Sequence, residues 1–574
     1  MMNKKFVYII SALILLPFLV SAATFYVDKA SIGGPCFDSN AGTSLSSPLC
    51  TIKQANQMVS PGDNVFIRAG TYTDNSGHSA IIDPRMSGST NNYITYKNYN
   101  GENVVIGGVY QPILLGYPTT WTRDYIIVDG IKVDGVSQES SLIDIFAFVY
   151  GNHNIIRNCV MQYTRLNSDW WKGIYIVQGS SYNQIINNTI KYVGKAQPEI
   201  SGGIGDGIWV EGDHNLIKGN DLSYCGHNGL LLRGTYNIAI NNDIHSHIYR
   251  SGEVHSSGTS NAHLVFENNI VRDSGGFTPG PCAAYGIQAD SANQLIRNNL
   301  FYNNHGHGLE IWGMAGAGTA KNSRVYNNVM FGNGNNSKGD VPQNEGYGID
   351  FNYLSETNPG DFSGVVMKNN ILYKNRYVGV YYKGSTDPTR HFEINNFEDT
   401  NGTPSFVDEN NHDFHLTSNS TCIDKGTWLT TTTSAGSGTN IPVTDAGYFI
   451  DGFGITDGDI IQLQGQTVTA RITSIDYNTN TLTVNTSLTW TSGLGVALAY
   501  SGSAPDIGAF EFAGSIPQPV PGDIDGDMDV DLQDLIILIS DFGKTGGYNN
   551  PKSDINGDSI VDIFDVVYVA SRFT

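Results

Sequence analysis

The chain has 574 residues, with 32 Lys and Arg against 54 Asp and Glu, a formal charge of -22. That balance excludes nucleic acid as a partner, because a polyanion is held by clustered cations. The length asks for several domains.

Residues 1–23 read as a secretory signal peptide. Lys4 and Lys5 give the charged start, Phe6 to Val20 the apolar core, and Val20-Ser21-Ala22 a small-residue cleavage site. Cleavage would take the charge to -22 - 2 = -24. No second long apolar run follows, so no membrane span is expected after signal cleavage, and the mature protein would be secreted, extracellular or cell-surface attached. An uncleaved anchor is the alternative. An acidic chain rich in Asn, Gly, Thr and Tyr and poor in Lys suits an exported protein that binds Ca²⁺ or sugars. Export permits disulfides. Cys36 and Cys50 flank one loop and are expected to pair, whereas Cys159, Cys225, Cys282 and Cys422 cannot be paired from sequence.

Thr24 to Asp28 reads as a strand. Thr51 to Val59 reads as a short helix with Thr51 as N-cap, and Val65 to Arg68 as the next strand. A helix in front of a repetitive β region would cover the open end of a stack. From about Tyr93 to Gly426 a repeat takes over. Gly207-Ile-Trp-Val-Glu-Gly-Asp-His-Asn-Leu-Ile-Lys-Gly-Asn220 is echoed 22 residues later by Gly229-Leu-Leu-Leu-Arg-Gly-Thr-Tyr-Asn-Ile-Ala-Ile-Asn-Asn242. Asn corners recur at Asn158, Asn188, Asn220, Asn242, Asn269, Asn299, Asn328 and Asn370, most of them between 22 and 32 residues apart. One such unit cannot bury its own apolar face, but stacked units can. The pattern predicts coils stacked about 4.8 Å apart, with the corner asparagines forming an amide ladder.

This repeat resembles the right-handed parallel β-helix proteins of the pectate-lyase-like superfamily. Phe25-Tyr-Val-Asp28, Thr51-Ile-Lys-Gln-Ala55 and Gly70-Thr-Tyr72 are similar to that family's N-terminal capping coil. Pro404-Ser-Phe-Val-Asp408, Asp413-Phe-His-Leu416 and Pro505-Asp-Ile-Gly-Ala-Phe-Glu511 are similar to its closing coil. The resemblance implies a mainly β fold, with the β-helix over residues 24–426 and a closing segment at 505–512. Residues 427–504 interrupt it. Alternating stretches such as Thr481-Leu-Thr-Val484, divided by Asn-rich turns, predict a small β-rich inserted subdomain. Residues 513–521 are a Pro-rich linker.

Residues 522–574 read as a separate, small α-helical Ca²⁺-binding module. Asp523, Asp525, Asp527, Asp529, Asp531 and Asp534 stand at positions 1, 3, 5, 7, 9 and 12 of a loop. Asp554, Asn556, Asp558, Ile560, Asp562 and Asp565 repeat that spacing. Six or more oxygens wrap one Ca²⁺ in this way, position 7 serving through its carbonyl. Two ions are therefore expected, with folding coupled to them. Each loop runs into an apolar helix, Leu532 to Phe542 and Ile563 to Phe573. The duplicated loop and helix resemble type I dockerin, which implies a cohesin-bearing scaffold protein as partner. Leu532-Gln533 and Ile563-Phe564 depart from the small hydroxylated residues of many dockerins, and Met528 and Ser559 stand where EF-hands carry Gly.

Aligning the repeats on Gly173, Gly207, Gly229, Gly286, Gly308, Gly348 and Gly379 puts the first and third following residues, mostly Ile, Leu and Val, in the core. The second and fourth then face outward. One outer face so gathers Trp209, Glu211, Arg233, Asp290, Glu310 and Trp312, with His307 just before its glycine. Glu253 and His255 lie on an irregular coil whose register is open, near Arg233. Trp209 and Trp312 would stack on sugar rings, Arg233 would neutralise a uronate carboxylate, and His255 or His307 would act as base. Glu211 with Asp290 or Glu310 would instead be the acid/base pair of a hydrolase. Lys172 or Lys383 would suit a lyase of the β-helix type. The plainer reading of Glu211 and Arg233 is a surface ion pair. The expectation is a secreted carbohydrate-active protein that degrades a polysaccharide as lyase or glycoside hydrolase and is anchored through the dockerin-like module. The alternative is a non-catalytic adhesin or surface-layer protein.

Overall fold

The computed structural model describes residues 22–73, 80–118, 120–137, 140–165, 171–194, 204–255, 262–275, 285–313, 320–335, 345–353, 362–383, 391–512, 522, 524, 530, 532–545, 548–555 and 560–571. The signal-peptide reading of residues 1–23 falls almost wholly outside them, and so does Cys282. Among the described residues no helix is long and apolar enough to cross a membrane.

Three long sheets of 13, 11 and 12 strands form the body, parallel apart from the short strand Trp121–Thr122, and successive coils of the repeat contribute one strand to each sheet in turn. For example, Gln184–Ile186 lies in the first sheet and Thr189–Lys191 in the third, while Asp206–Val210 lies in the second. Alternation sends Ile174, Ile176, Ile208, Val210, Leu230 and Leu232 into one continuous core, as the sequence predicts. The helix Ile52–Met58 is capped by Thr51, whose hydroxyl accepts from the Gln54 N–H at 3.1 Å. Ile52 and Ala55 of this helix join the same core. Cys36 and Cys50 form a disulfide, and Cys159, Cys225 and Cys422 are buried thiols.

The leading glycines are set by a close approach. A Cβ on Gly173 would stand 2.1 Å from the carbonyl oxygen of Gly207, and one on Gly207 would stand 2.5 Å from that of Gly229. The corners between the first and third sheets are set by amides. Asn188, Asn220, Asn242, Asn269, Asn299, Asn328, Asn370 and Asn396 form one ladder, each Nδ2 donating to the next Oδ1 at 2.9 to 3.2 Å. The residue before each rung takes the left-handed conformation, for example Asn187, Gly219, Asn241 and Asn268. That explains the Asn-Asn doublets, because Asn and Gly accept positive φ most readily. Asn158 is not a rung. It is itself left-handed (φ 54°) and donates to Asp129, while Cys159 occupies the rung and donates its N–H to Asn188. Two further ladders, Asn183–Asn215–Asn237 and Asn304–Asn333–Asn375, support the other corners.

Residues 427–504 do form a small β unit, an antiparallel sheet of six strands. Its apolar side covers outward residues of the first sheet, including Leu216, Ile238, Val265 and Leu295. Arg297, which is fully buried, reaches Asp459 of this unit at 2.6 Å and Glu267 of the neighbouring coil at 2.8 Å. The closing segment then returns to the β-helix, where Ile507 packs with Phe406, Phe414 and Leu416 over Val329 and Ile371. In the C-terminal module two helices, Leu532–Ser540 and Ile563–Ala570, enclose a small core of Ile524, Val530, Leu538, Val561 and Val569. The first helix stops two residues earlier than expected, just ahead of Gly543 at positive φ.

Replacing the rung Asn269→Ala takes the acceptor from both the Asn242 N–H and its side-chain amide, and removes one of the donors to the buried Ala239 carbonyl. The expected loss is about 2–4 kcal/mol of unfolding free energy, read from denaturant melts. Asn268→Gly, one residue away in the left-handed position, is expected to change stability by less than about 0.5 kcal/mol.

Candidate functional site

The second sheet presents its outer face as a ladder of side chains, one pair per coil. In register from coil to coil run Tyr175, Trp209, Leu231, Glu253, Gln288, Glu310, Asp350 and Tyr381. The strand Arg250–Val254 fixes the register that the sequence leaves open. Gly252 takes the core position, Glu253 faces out beside Leu231, and the His255 N–H donates to the Leu232 carbonyl. His255 is therefore the neighbour of Arg233, and Asp290 is the neighbour of His255.

Two groups form on this face. The first centres on Trp209. Lys172, from the preceding coil, places Nζ 3.9 Å from the indole centroid, and the Arg233 guanidinium, from the following coil, lies 5.0 Å from it. The indole is thus held between two cations. Glu211 accepts from the Tyr175 hydroxyl at 2.6 Å and lies 3.8 Å from Arg233. Lys172 is buried, and burial lowers its pKa below 10.5. The Asp206 and Glu211 carboxylates only partly oppose this, and Arg233 adds to it. Asp206 is itself held by His227 and Asn228, each at 3.0 Å.

The second group lies further along the face. His255 Nδ1 meets Asp290 Oδ2 at 2.5 Å, and Asp290 is fully buried with Oδ1 making no hydrogen bond. Burial raises the Asp290 pKa against the pull of His255. Arg250 joins Glu253, Gln288 and the Tyr249 hydroxyl. Glu310 and Asp350 are register partners on adjacent coils, both buried. Burial first, and then the Asp350 charge, push the Glu310 pKa up to about 7 although Asn352 donates to it at 2.6 Å. His307 accepts from the Tyr347 N–H through Nδ1 and turns Nε2 toward Glu345 at 2.8 Å.

The structure brings Glu211 to Arg233, and His255 to Asp290. It does not bring Glu211 to Asp290 or Glu310. Asp290 is three coils beyond Glu211, about 14 Å at the interstrand spacing, too far for a hydrolase pair at roughly 6.5–9.5 Å or less. Trp312 pairs in register with Asn352 at one end of the face, away from Trp209, and Lys383 pairs with Asn352 from the last coil. Asp350, Arg250 and Gln288 complete the second group without having been singled out in the sequence. The alignment column already contained Asp350 and Gln288. Arg250 was hidden because its coil lacks the leading glycine.

A carboxyl that holds its proton more tightly when folded stabilises the fold below its ordinary pKa, and this stability is lost as pH rises through the folded value. For Glu310 the window runs from 4.5 to about 7. Glu310→Gln is therefore expected to gain stability relative to the parent between pH 5 and pH 8, on the order of 2 kcal/mol, measured by urea unfolding at both pH values.

Comparison with known proteins agrees with this architecture. Residues 35–225 match the family model for the Pel9A-like right-handed β-helix region, and residues 173–421 match that for the right-handed β-helix region. The fold is thus a pectate-lyase-like right-handed β-helix. The uncharacterized protein YwoF of Bacillus subtilis is 24% identical over 344 residues, 52% of this chain and 67% of its own length. Pectate lyase L of Dickeya chrysanthemi is 25% identical over 310 residues, 52% of this chain and 65% of its own length, slightly less than two thirds. Among solved structures, pectate lyase Pel9A is 17% identical with a TM-score of 0.44, covering 86% of this chain and 97% of that one.

Proposed function

We propose that the protein is a secreted lyase that cleaves a uronate-containing polysaccharide by β-elimination on the outer face of the second sheet. The observation that carries this reading is Lys172, an amine whose burial against Trp209 lowers its pKa, one coil from Trp209 and two from Arg233. In the reaction Arg233 pairs with the uronate carboxylate and so acidifies the C5 proton. Neutral Lys172 takes that proton, the electron pair forms the C4–C5 double bond, and the C4–O bond breaks. The departing oxygen is protonated from solvent. Similarity to polysaccharide-acting β-helix proteins supports the substrate class.

A second reading rests on Glu310 and Asp350. Adjacent carboxyls, one of them with its pKa pushed up to about 7, are what a retaining glycoside hydrolase needs for acid and nucleophile. The two readings differ in product. Incubation with pectic, alginate, xylan and glycosaminoglycan polymers is expected to give unsaturated ends, seen by ultraviolet absorbance. Reducing ends without unsaturation would favour the Glu310–Asp350 reading. No product from any polymer would favour the adhesin or surface-layer role. Lys172→Gln is expected to lower elimination about 10²–10⁴-fold, and the parent rate is expected to climb with pH to a plateau reached below pH 10.5.

We further propose that the C-terminal module binds two Ca²⁺ ions and a scaffold partner. The position-12 carboxylates accept equivalent backbone bonds: the Ile524 N–H donates to Asp534 at 2.6 Å, and the Ile555 N–H donates to Asp565 at 3.0 Å. Asp534 and Asp565 are fully buried, which turns both position-12 carboxylates inward, where an ion would sit. Asp523, Asp525, Asp527, Asp529, Asp531, Asn556 and Asp558 lie outside the described residues. With Asp554, Asp562 and the Ile560 carbonyl they would supply the remaining oxygens. Leu532, Ile536, Ile539, Ile563, Phe564 and Val567 are each more than half exposed, an apolar surface suited to a cohesin-bearing scaffold. Calorimetric titration of the full chain with Ca²⁺ is expected to show two sites, with one lost in Asp534→Ala and the other in Asp565→Ala.

A further inference from the structure

The inserted unit does more than cover the first sheet. Where it meets the corner between the second and first sheets it leaves an open groove of about 880 Å³. The β-helix wall of this groove carries Tyr236 and His263, the last members of a column of stacked rings that begins at Tyr125. The inserted unit answers with Tyr477, whose ring lies 4.8 Å from His263 and whose hydroxyl donates to the Phe449 carbonyl. Beyond the rings the walls include amides: Asn322 from the β-helix, and from the insert Asn478 and Asn480, the latter's Oδ1 already accepting from the Ala446 N–H. Asn322 and Asn478 are exposed, so their donors and acceptors face the groove's solvent.

The charges in this groove differ in kind from those on the outer face of the second sheet. Its cation, Arg324, is held by Asp445 at 2.6 Å and donates to the Gly364 carbonyl at 2.8 Å. Asp445 also accepts from the Gly447 N–H, and Asp476 accepts from the Asn478 N–H and the Thr479 hydroxyl. His263 is kept neutral, its pKa lowered by burial to about 4. With Asp445 and Asp476 against Arg324, the lining carries one net negative charge. A uronate would find no unpaired cation among these residues, whereas sugar hydroxyls would find amide donors and acceptors between aromatic rings. His263 follows His255 in the same coil, so the groove lies around one corner from the face that carries Lys172 and Arg233.

We infer that this groove is a second glycan site, specific for a neutral, hydroxyl-rich saccharide chain, and that the insert exists to build it. It holds a neutral polymer while the acidic one is engaged on the adjacent face. The test uses the full chain in affinity gel electrophoresis against soluble galactan, arabinan, xylan and polygalacturonate. Two variants alter the groove without touching the core. Asn322→Gly with Asn478→Ala removes two amides, the glycine suiting the left-handed backbone at 322 (φ 54°). Gly447→Phe fills the space, since its Cβ would meet only the side-chain atoms Asp445 Oδ1 at 3.0 Å and Arg324 Nη2 at 3.9 Å. Retardation by at least one neutral polymer is expected, weakened about tenfold or more in both variants, with thermal midpoint and activity on short acidic oligomers unchanged. Lack of retardation by every neutral polymer would overturn the inference. So would neutral-polymer binding that survives both variants, or variants that weaken only polygalacturonate binding. Activity lost in Lys172→Gln with neutral-polymer retardation intact would separate this site from the proposed elimination site.

Discussion

Between the first and third sheets every coil turns through a corner two residues long, and at eight successive levels an asparagine fills it. Its amide donates backward to a carbonyl one coil behind and forward to the next amide, as Asn269 does to Ala239 and Asn299. These bonds lie in a water-free core, where an unpaired amide costs more than the bond itself contributes. The coils therefore stack in one register or not at all. Once register is fixed, the outward side chains line up in columns and chemistry can be assembled from residues 20 to 40 positions apart.

That division of labour governs the candidate site. Ile208 and Val210 fill the stack, while Trp209 and Glu211, which alternate with them, are free of that duty. The column holds Trp209 between Lys172 and Arg233, an arrangement no single coil could make. It also buries Glu310 and stacks it on Asp350, and burial first, then the Asp350 charge, raise that carboxyl toward neutrality. Electrostatic differences between the two groups follow from which residue type falls at a given level of a common ladder.

Most of the body was legible in the sequence because its constraints are local and periodic. Leading glycines mark a carbonyl approach, alternation marks the core, and asparagines mark corners. Asn158 misleads because the doublet's first member, the left-handed one, is also Asn in most coils. The register of Arg250–Val254 was not legible, since Gly252 sits where other coils carry Leu or Ile. The docking of the insert depends on Arg297 reaching Asp459, 162 positions away, and no periodicity reports such a contact. Burial of Lys172 is likewise a property of three coils together.

The role of Lys172 is tested most directly by titrating its own amine. Methylation with ¹³C-labelled reagent, followed by NMR across pH and assigned with Lys172→Gln, reports the pKa of that side chain in the folded protein. An amine buried against Trp209 titrates clearly below the ordinary lysine value of 10.5. Titration at or above that value would leave Lys172 protonated throughout the working range and would contradict its place as the base.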